Sequence, residues 1–407
     1  MAVNLPPLGT LLPVPGVRLG TACAGIKQHE RDDLALIELA EGTTAGAVFT
    51  QNRFRAPPVE LAEARLGSHA PRLLLINSGN ANAATGQAGL EDAEALCQRA
   101  AQCGAQGIEA EQVLPFSTGV IGERLPLAPI RRAIKDAMRS LTANGWADAA
   151  QAILTTDTGA KGLTQQVQIG GRAVTLTGIA KGAGMIKPDM ATMLAFICCD
   201  ASVDQTVLQA IVRDAAERSF NRITVDGDTS TNDAFVVAAT GQAGHPRIEG
   251  PGARLDALRG GVSELAAGLA ERIMRDAEGA TKFVTVQVAA GATQAECLRV
   301  AYAVAESPLV KTALFAGDPN WGRFCMAIGR AGIPDLDPAK VSLALDDVAV
   351  AEAGLLAQGY DEAAAAAVMA KAEFTIGVNL GRGPCEQSVW TSDLSYDYVR
   401  INAEYRT

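Results

Sequence analysis

Residues 181–201 read KGAGMIKPDMATMLAFICCDA, and this stretch sets three kinds of chain side by side. Lys181-Gly182-Ala183-Gly184 is a small-residue turn carrying one cation. Lys187-Pro188-Asp189 breaks any helix, because proline lacks an amide hydrogen and restricts the residue before it. Met190 to Cys199 is an apolar run that holds a single hydroxyl, Thr192. A short apolar run bounded by a turn predicts a core strand over Met193 to Cys199. A threonine therefore stands at the threshold of a buried strand, directly after a glycine-rich turn.

The same transition recurs along the chain. Leu73 to Ile76 empties into NSGNANAATG (77–86), VLPFSTGVIGERLP (113–126) runs into Gly119 and Gly122, and AILTTDTGAKG (152–162) passes from apolar residues to hydroxyls. Loops at strand ends commonly converge into one cleft, which makes Ser78, Thr118, Thr155 and Thr192 a candidate set. Taken singly, each is ordinary turn chemistry. Between them, Leu90 to Ala101, Ile130 to Leu141 and Val207 to Phe220 have helical spacing, and Val174 to Ile179 is strand-like. Val262, Leu265, Leu269, Ile273 and Met274 mark one face of a helix expected to stop at Gly279. Val284, Val286 and Val288 then alternate as a strand, an Ala-rich helix is expected from Glu362 to Ala372, and Tyr396, Tyr398, Arg400 and Asn402 read as a closing strand. The class is mixed α/β, with a boundary near 280–290 separating residues 1–285 from a smaller domain of 286–407.

Composition narrows the function classes. The 407 residues carry 45 acidic and 35 basic side chains, a net charge of -10, with no Lys/Arg-rich tract, which argues against a nucleic-acid surface. No apolar run approaches the roughly 18 residues needed to cross a bilayer. Ala22-Cys23-Ala24 has the small-x-small look of a processing site, but no basic segment precedes it and Pro6, Pro7, Pro13 and Pro15 interrupt the region, so the amino terminus reads as mature protein. Eight cysteines without a C-x-x-C are expected as reduced thiols of a cytoplasmic protein. The three histidines, His29, His69 and His245, have no i, i+4 partner, which disfavours a histidine metal site or a Ser-His-Asp triad.

Any nucleophile must therefore find another base. A threonine hydroxyl is activated when the threonine is itself amino-terminal, because its free α-amine, with an unperturbed pKa of about 7.7–8.0, then takes the proton. Such an amine is made by cleavage. The Ala191–Thr192 peptide, between Pro188 and a buried strand, can be cut by the Thr192 hydroxyl through an N-to-O acyl shift and ester hydrolysis. The plainer reading is a β-branched residue starting a strand.

KGAGMIKPDMATML, FSTGVIGERLP, INSGNANAATG, GDPNWGR and the tail INAEYRT together resemble the ornithine acetyltransferase (ArgJ) family, the glutamate N-acetyltransferases of arginine biosynthesis. The resemblance runs from the amino-terminal third to the last residue. Ala183 and Asp189 depart from the family pattern, where serine and asparagine are frequent, and neither replaces a catalytic group. The resemblance implies an αββα sandwich of the DmpA/ArgJ-like type carrying the site, with a smaller carboxy-terminal α/β domain. It implies cleavage between Ala191 and Thr192 into an α chain, 1–191, and a β chain, 192–407, which stay associated as a heterotetramer of two of each. By motif position it makes Thr192 the nucleophile, Thr118 and Gly119 the oxyanion hole, and Thr155, Lys181, Glu278, Asn402 and Thr407 substrate contacts. The implied substrates are acetylornithine and glutamate, without metal or cofactor; some members also accept acetyl-coenzyme A as a donor.

The residues suit these roles on physical grounds. A Thr118 hydroxyl beside a Gly119 amide offers two donors to a developing oxyanion. A cation at Lys181, expected on a turn, suits an α-carboxylate. Glu278, expected in the last turn of its helix, sits where the macrodipole disfavours a negative charge by roughly 0.3–1 kcal/mol. Two rival readings remain open at this level. One is a self-processing aminopeptidase or amidase, in which water rather than an amine resolves the acyl-enzyme. The other is a binding module using KGAG as a phosphate loop, which lacks both a G-x-x-x-x-G-K-[ST] and a G-x-G-x-x-G motif.

Overall fold

The computed structural model describes residues 2–27, 31–104, 107–187 and 193–404. The chain divides into two units, one built from 6–221 and 229–273 and the other from 2–5, 222–228 and 274–404.

In the first unit, the apolar runs become strands buried on both faces. Leu73–Asn80 lies beside Leu34–Leu39 and Val113–Val120 in a four-stranded sheet, with Val17–Ala22 at its edge. Leu73 and Leu75 point to a core shared with Leu96, Cys97 and Ala100 of helix Gly86–Cys103 and Ile130 and Ile134 of helix Leu127–Arg139. Leu74 and Ile76 point the opposite way, into the main core. This two-sided burial is why the strand reads as a continuous apolar run.

A five-stranded sheet closes that core from the far side, in the order Thr44–Phe49, Ala234–Ala239, Leu194–Cys199, Arg172–Lys181, Lys161–Ile169. Leu194, Phe196 and Cys198 face the first sheet, and the Phe116 and Phe196 rings meet edge-on across the gap at 5.0 Å. Helices cover the outer face: a Cβ on Gly46 would strike Gln209 and Val212 of helix Gln205–Arg218, and one on Gly178 would strike Leu265 and Leu269 of helix Ala253–Arg275. The layers are helix, sheet, sheet, helix, the expected sandwich.

The second unit has a seven-stranded sheet ordered Leu355–Leu356, Val348–Glu352, Ser342–Leu345, Glu373–Asn379, Phe283–Gly291, Cys385–Ser392, Ile223–Thr224. Val284, Val286 and Val288 alternate into its core, against helices Gln294–Ala305 and Glu362–Met369. The whole strand Phe283–Gly291 lies in this unit.

Two elements differ from expectation. The closing segment is a helix, Tyr396–Glu404, rather than a strand. Ser395 caps it, its Oγ accepting from the amides of Asp397 and Tyr398 at 3.1 and 3.2 Å, and a cap of this kind outweighs a four-residue alternation. The long helix ends at Arg275, so Glu278 lies in the following turn and escapes the helix dipole. Gly279, with φ +66°, still serves a turn, and a Cβ there would sit 2.4 Å from the Tyr398 amide nitrogen. Among the described residues no helix is long and apolar enough to cross a membrane.

Candidate active site

Parallel pairing of Leu73–Asn80 with Val113–Val120 sets Ser78 opposite Thr118 and Gly79 opposite Gly119. The pairing breaks register just beyond, at Gly79/Asn80. Gly119 has φ +134°, and a Cβ there would fall 2.2 Å from the Gly79 carbonyl carbon, so only glycine lets the two backbones approach this closely. Asparagines lock the adjoining loop. Ser117 donates to Asn77, Asn77 donates to the Asn80 carbonyl, and Asn232 donates to the carbonyls of Ala81 and Ser117.

Lys181 ends its strand instead of riding on an exposed turn, and it is 9% exposed. Its Nζ donates to Thr118 Oγ1 at 3.4 Å, which joins two expected site residues 63 positions apart. Because that oxygen accepts from the ammonium, its own O–H is directed elsewhere. Lys181 also stands opposite Leu194 in the antiparallel ladder, two residues past Thr192 in sequence.

Thr155 is tied to this strand end through a residue that sequence reasoning passed over. Asp157 Oδ2 accepts from the Thr155 amide at 3.0 Å, while Oδ1 accepts from Lys161 Nζ and the Gly182 amide, each at 2.6 Å. Both charged side chains of the Asp157–Lys161 pair are fully buried. Burial alone would raise the Asp157 carboxyl, but the charges of Lys161 and Lys181 and the two hydrogen bonds on Oδ1 hold it well below the usual carboxylate range.

Lys27 is a second omission. Its Nζ donates to Ser78 Oγ and to the Leu154 carbonyl. Burial, then the like charges of Arg31 and Lys181, push its ammonium down to about 7, against the pull of Asp33 and Asp157. The Asp33 carboxylate holds the preceding loop by accepting from the amides of Ala24, Ile26 and Lys27. Nothing in GIKQHERDD marks Lys27 as half-buried against Ser78 and Leu154. The one sequence signal was the shared pattern at Ser78 and Leu154-Thr155.

In the other unit, Glu278 is 9% exposed and its Oε2 accepts from Asn402 Nδ2 at 2.8 Å, so these two expected residues do meet. Asn402 also donates to the Tyr398 carbonyl one helical turn back. Ala191, Thr192 and Thr407 lie outside the described residues. Among the described residues no group of three or more His, Cys, Asp or Glu is placed to hold a metal ion.

The five motifs in order find their match in one family. The model of the ArgJ family covers residues 18–407. The chain belongs to the ArgJ family. It is 53% identical over 408 residues to the arginine biosynthesis bifunctional protein ArgJ of Pseudomonas syringae pv. tomato, covering all of both chains. The protein of the same name from Methylococcus capsulatus is 53% identical over 397 residues, 98% of this chain and 97% of that one. Among solved structures, the arginine biosynthesis bifunctional protein of Bacillus halodurans is 38% identical and superposes with a TM-score of 0.50, covering 53% of this chain and 100% of the other.

Proposed function

We propose that the protein is a self-processing acetyltransferase of arginine biosynthesis, which moves the acetyl group of N2-acetylornithine to the α-amine of glutamate through an acetyl ester on Thr192. The observation that carries this reading is the meeting of Thr118, Gly119 and Lys181 at one strand end in a member of the ArgJ family. Cleavage between Ala191 and Thr192 frees the α-amine that serves as base. The Thr192 hydroxyl then attacks the acetyl carbonyl. The Thr118 hydroxyl, polarised by the Lys181 ammonium, and the Gly119 amide are the donors offered to the oxyanion. Ornithine leaves, and the glutamate amine attacks the ester. Both partners are α-amino acids, so a single cation, Lys181, can serve the α-carboxylate in each half-reaction. The mechanism calls on no metal, and acetyl-coenzyme A enters only as an alternative donor. The α and β chains would remain together, as two of each, in the cytoplasm.

Two measurements test the reading. Purified protein should separate on a denaturing gel into two pieces, the smaller-numbered ending at Ala191 and the other beginning at Thr192; fully active uncut enzyme would refute the amino-terminal nucleophile. Cleaved enzyme given acetylornithine should release ornithine in a glutamate-dependent way and yield acetylglutamate. Rapid release into water without glutamate would instead identify an amidase. Glutamate acetylation with acetyl-coenzyme A as sole donor would mark a second activity.

A further inference from the structure

Strand Cys385–Ser392 runs out into Asp393-Leu394-Ser395 before helix Tyr396–Glu404 begins. This short link is braced along its length. The buried Lys311 donates from Nζ to Thr391 Oγ1 at 3.1 Å and to the Ser392 carbonyl, and the Leu394 amide donates to the Lys311 carbonyl at 3.2 Å. Asp393 accepts from the amides of Thr281 and Lys282 at 2.8 and 3.0 Å, which pins the link beside the turn that follows Glu278.

Ser395 then joins that turn to the helix. It is 5% exposed. A serine hydroxyl has one proton to give and two lone pairs to receive with. Here the proton goes to the Gly279 carbonyl at 2.6 Å, and the lone pairs take the amides of Asp397 and Tyr398. The hydroxyl is fully committed. A Cβ on Gly279 would lie 2.8 Å from Ser395 Oγ, so this approach, too, depends on the glycine.

Glu278 immediately precedes Gly279, and Asn402 lies one helical turn beyond Tyr398. Asn402 Nδ2 donates to Glu278 Oε2 at 2.8 Å and to the Tyr398 carbonyl at 3.0 Å, which commits both of its amide protons. The turn and the helix are therefore tied at two points, by Ser395 where the helix starts and by Asn402 further along. Two ties fix an orientation where one would leave a pivot.

We propose that Ser395 is a positioning residue, whose hydroxyl sets the turn carrying Glu278 against the helix carrying Asn402 and so holds this pair in the geometry in which it meets substrate. The proposal rests on the reading of Glu278 and Asn402 as substrate contacts. A misplacement of about 1 Å is enough to cost an enzyme on the order of 10²-fold in rate.

The test measures acetyl transfer from acetylornithine to glutamate by the processed enzyme, well below its Tm. Ser395→Ala, which loses both the cap and the link to Gly279, should lower kcat/KM at least about tenfold. Ser395→Thr keeps the hydroxyl and should stay within about threefold of wild type. Ser395→Asp separates the two bonds, because a carboxylate still caps the helix but has no proton for the Gly279 carbonyl. It should recover most of the Tm that Ser395→Ala loses and still have kcat/KM at least about tenfold down, a split that a role in helix stability alone does not produce. Because Ser395 acts through Glu278, adding Ser395→Ala to Glu278→Gln should cost no more than about threefold further. Wild-type turnover in Ser395→Asp, a Ser395→Thr no faster than Ser395→Ala, or losses that multiply in full in the double variant would overturn the assignment. Should Ser395→Ala misfold, Ser395→Asp, whose cap is intact, decides. A Glu278→Gln variant as active as wild type would remove Glu278 from the reaction and take this assignment with it, whereas a damaged Glu278→Gln beside a fully active Ser395→Asp would overturn the assignment alone.

Discussion

Asp157→Asn should be among the most damaging isosteric changes in the sandwich. The substitution keeps the volume of the side chain but removes the charge that faces Lys161 Nζ at 2.6 Å, where both side chains are fully buried. Lys161 Nζ also donates to the Gly159 carbonyl at 3.3 Å, a neutral acceptor that does not replace the carboxylate charge. Removing one partner of a buried pair costs about 3–5 kcal/mol, because the other charge is left uncompensated in a poor solvent. Against a typical total of about 5–15 kcal/mol, that is a large share. At about 2–4 °C per kcal/mol for a domain of this size class, Tm should fall by roughly 6–20 °C.

Urea denaturation and calorimetry measure the loss, and a drop below about 1 kcal/mol would refute the claim that this pair is electrostatically isolated from water. The double variant Asp157→Leu with Lys161→Met separates causes. Removing both ions should recover most of the stability that the single change loses. The acid limb gives an independent check. The folded carboxyl lies below its unfolded value of about 3.9. Its contribution is therefore fully present above about pH 4 and is lost as pH falls through the folded value, so the Asn variant should show a flatter acid limb.

Two further changes probe the chemistry. Thr118→Val keeps the shape and deletes one proposed oxyanion donor, so kcat should fall by about 10²–10³-fold, and an unchanged kcat refutes the role. Glu278→Gln preserves the bond to Asn402 but removes a buried charge suited to a substrate amine; kcat/KM should fall at least about tenfold, whereas the exposed Glu362→Gln should sit near wild type, and equal small effects would remove Glu278 from the reaction.

What was legible in the sequence was pattern, and what was not was burial. Leu73 to Ile76 and Met193 to Cys199 announce core strands because nothing else tolerates such runs, and the hydroxyls at their ends drew attention to Ser78, Thr118 and Thr155. Those residues do lie along adjoining strand ends and turns. Asp157 and Lys161 carry the same letters as solvated charges, and only the closed sandwich makes them a dry ion pair. Lys27, in a run of polar residues, gave even less warning. The misread closing helix shows the opposite failure: a period-two alternation four residues long is weaker information than one serine at the cap.

Lys27 and Lys181 together carry the last step of the argument. Burial and the charge of Arg31 do most to pull the Lys27 ammonium down to about 7, and Lys181 adds a smaller repulsion. Asp33 and Asp157 offset them only in part. Asp157 is already bound by Lys161 and two amides, and Asp33 by three amides. The cations Lys27, Arg31, Lys161 and Lys181 outnumber the carboxylates Asp33 and Asp157 among which they act, and a surplus of that sign is complementary to a carboxylate that arrives with the substrate. Entry of that carboxylate would raise the Lys27 value again and draw a proton onto it, which couples substrate binding to proton uptake near neutral pH. The residue that the sequence concealed most completely is thus the one whose charge state should report when the site is filled.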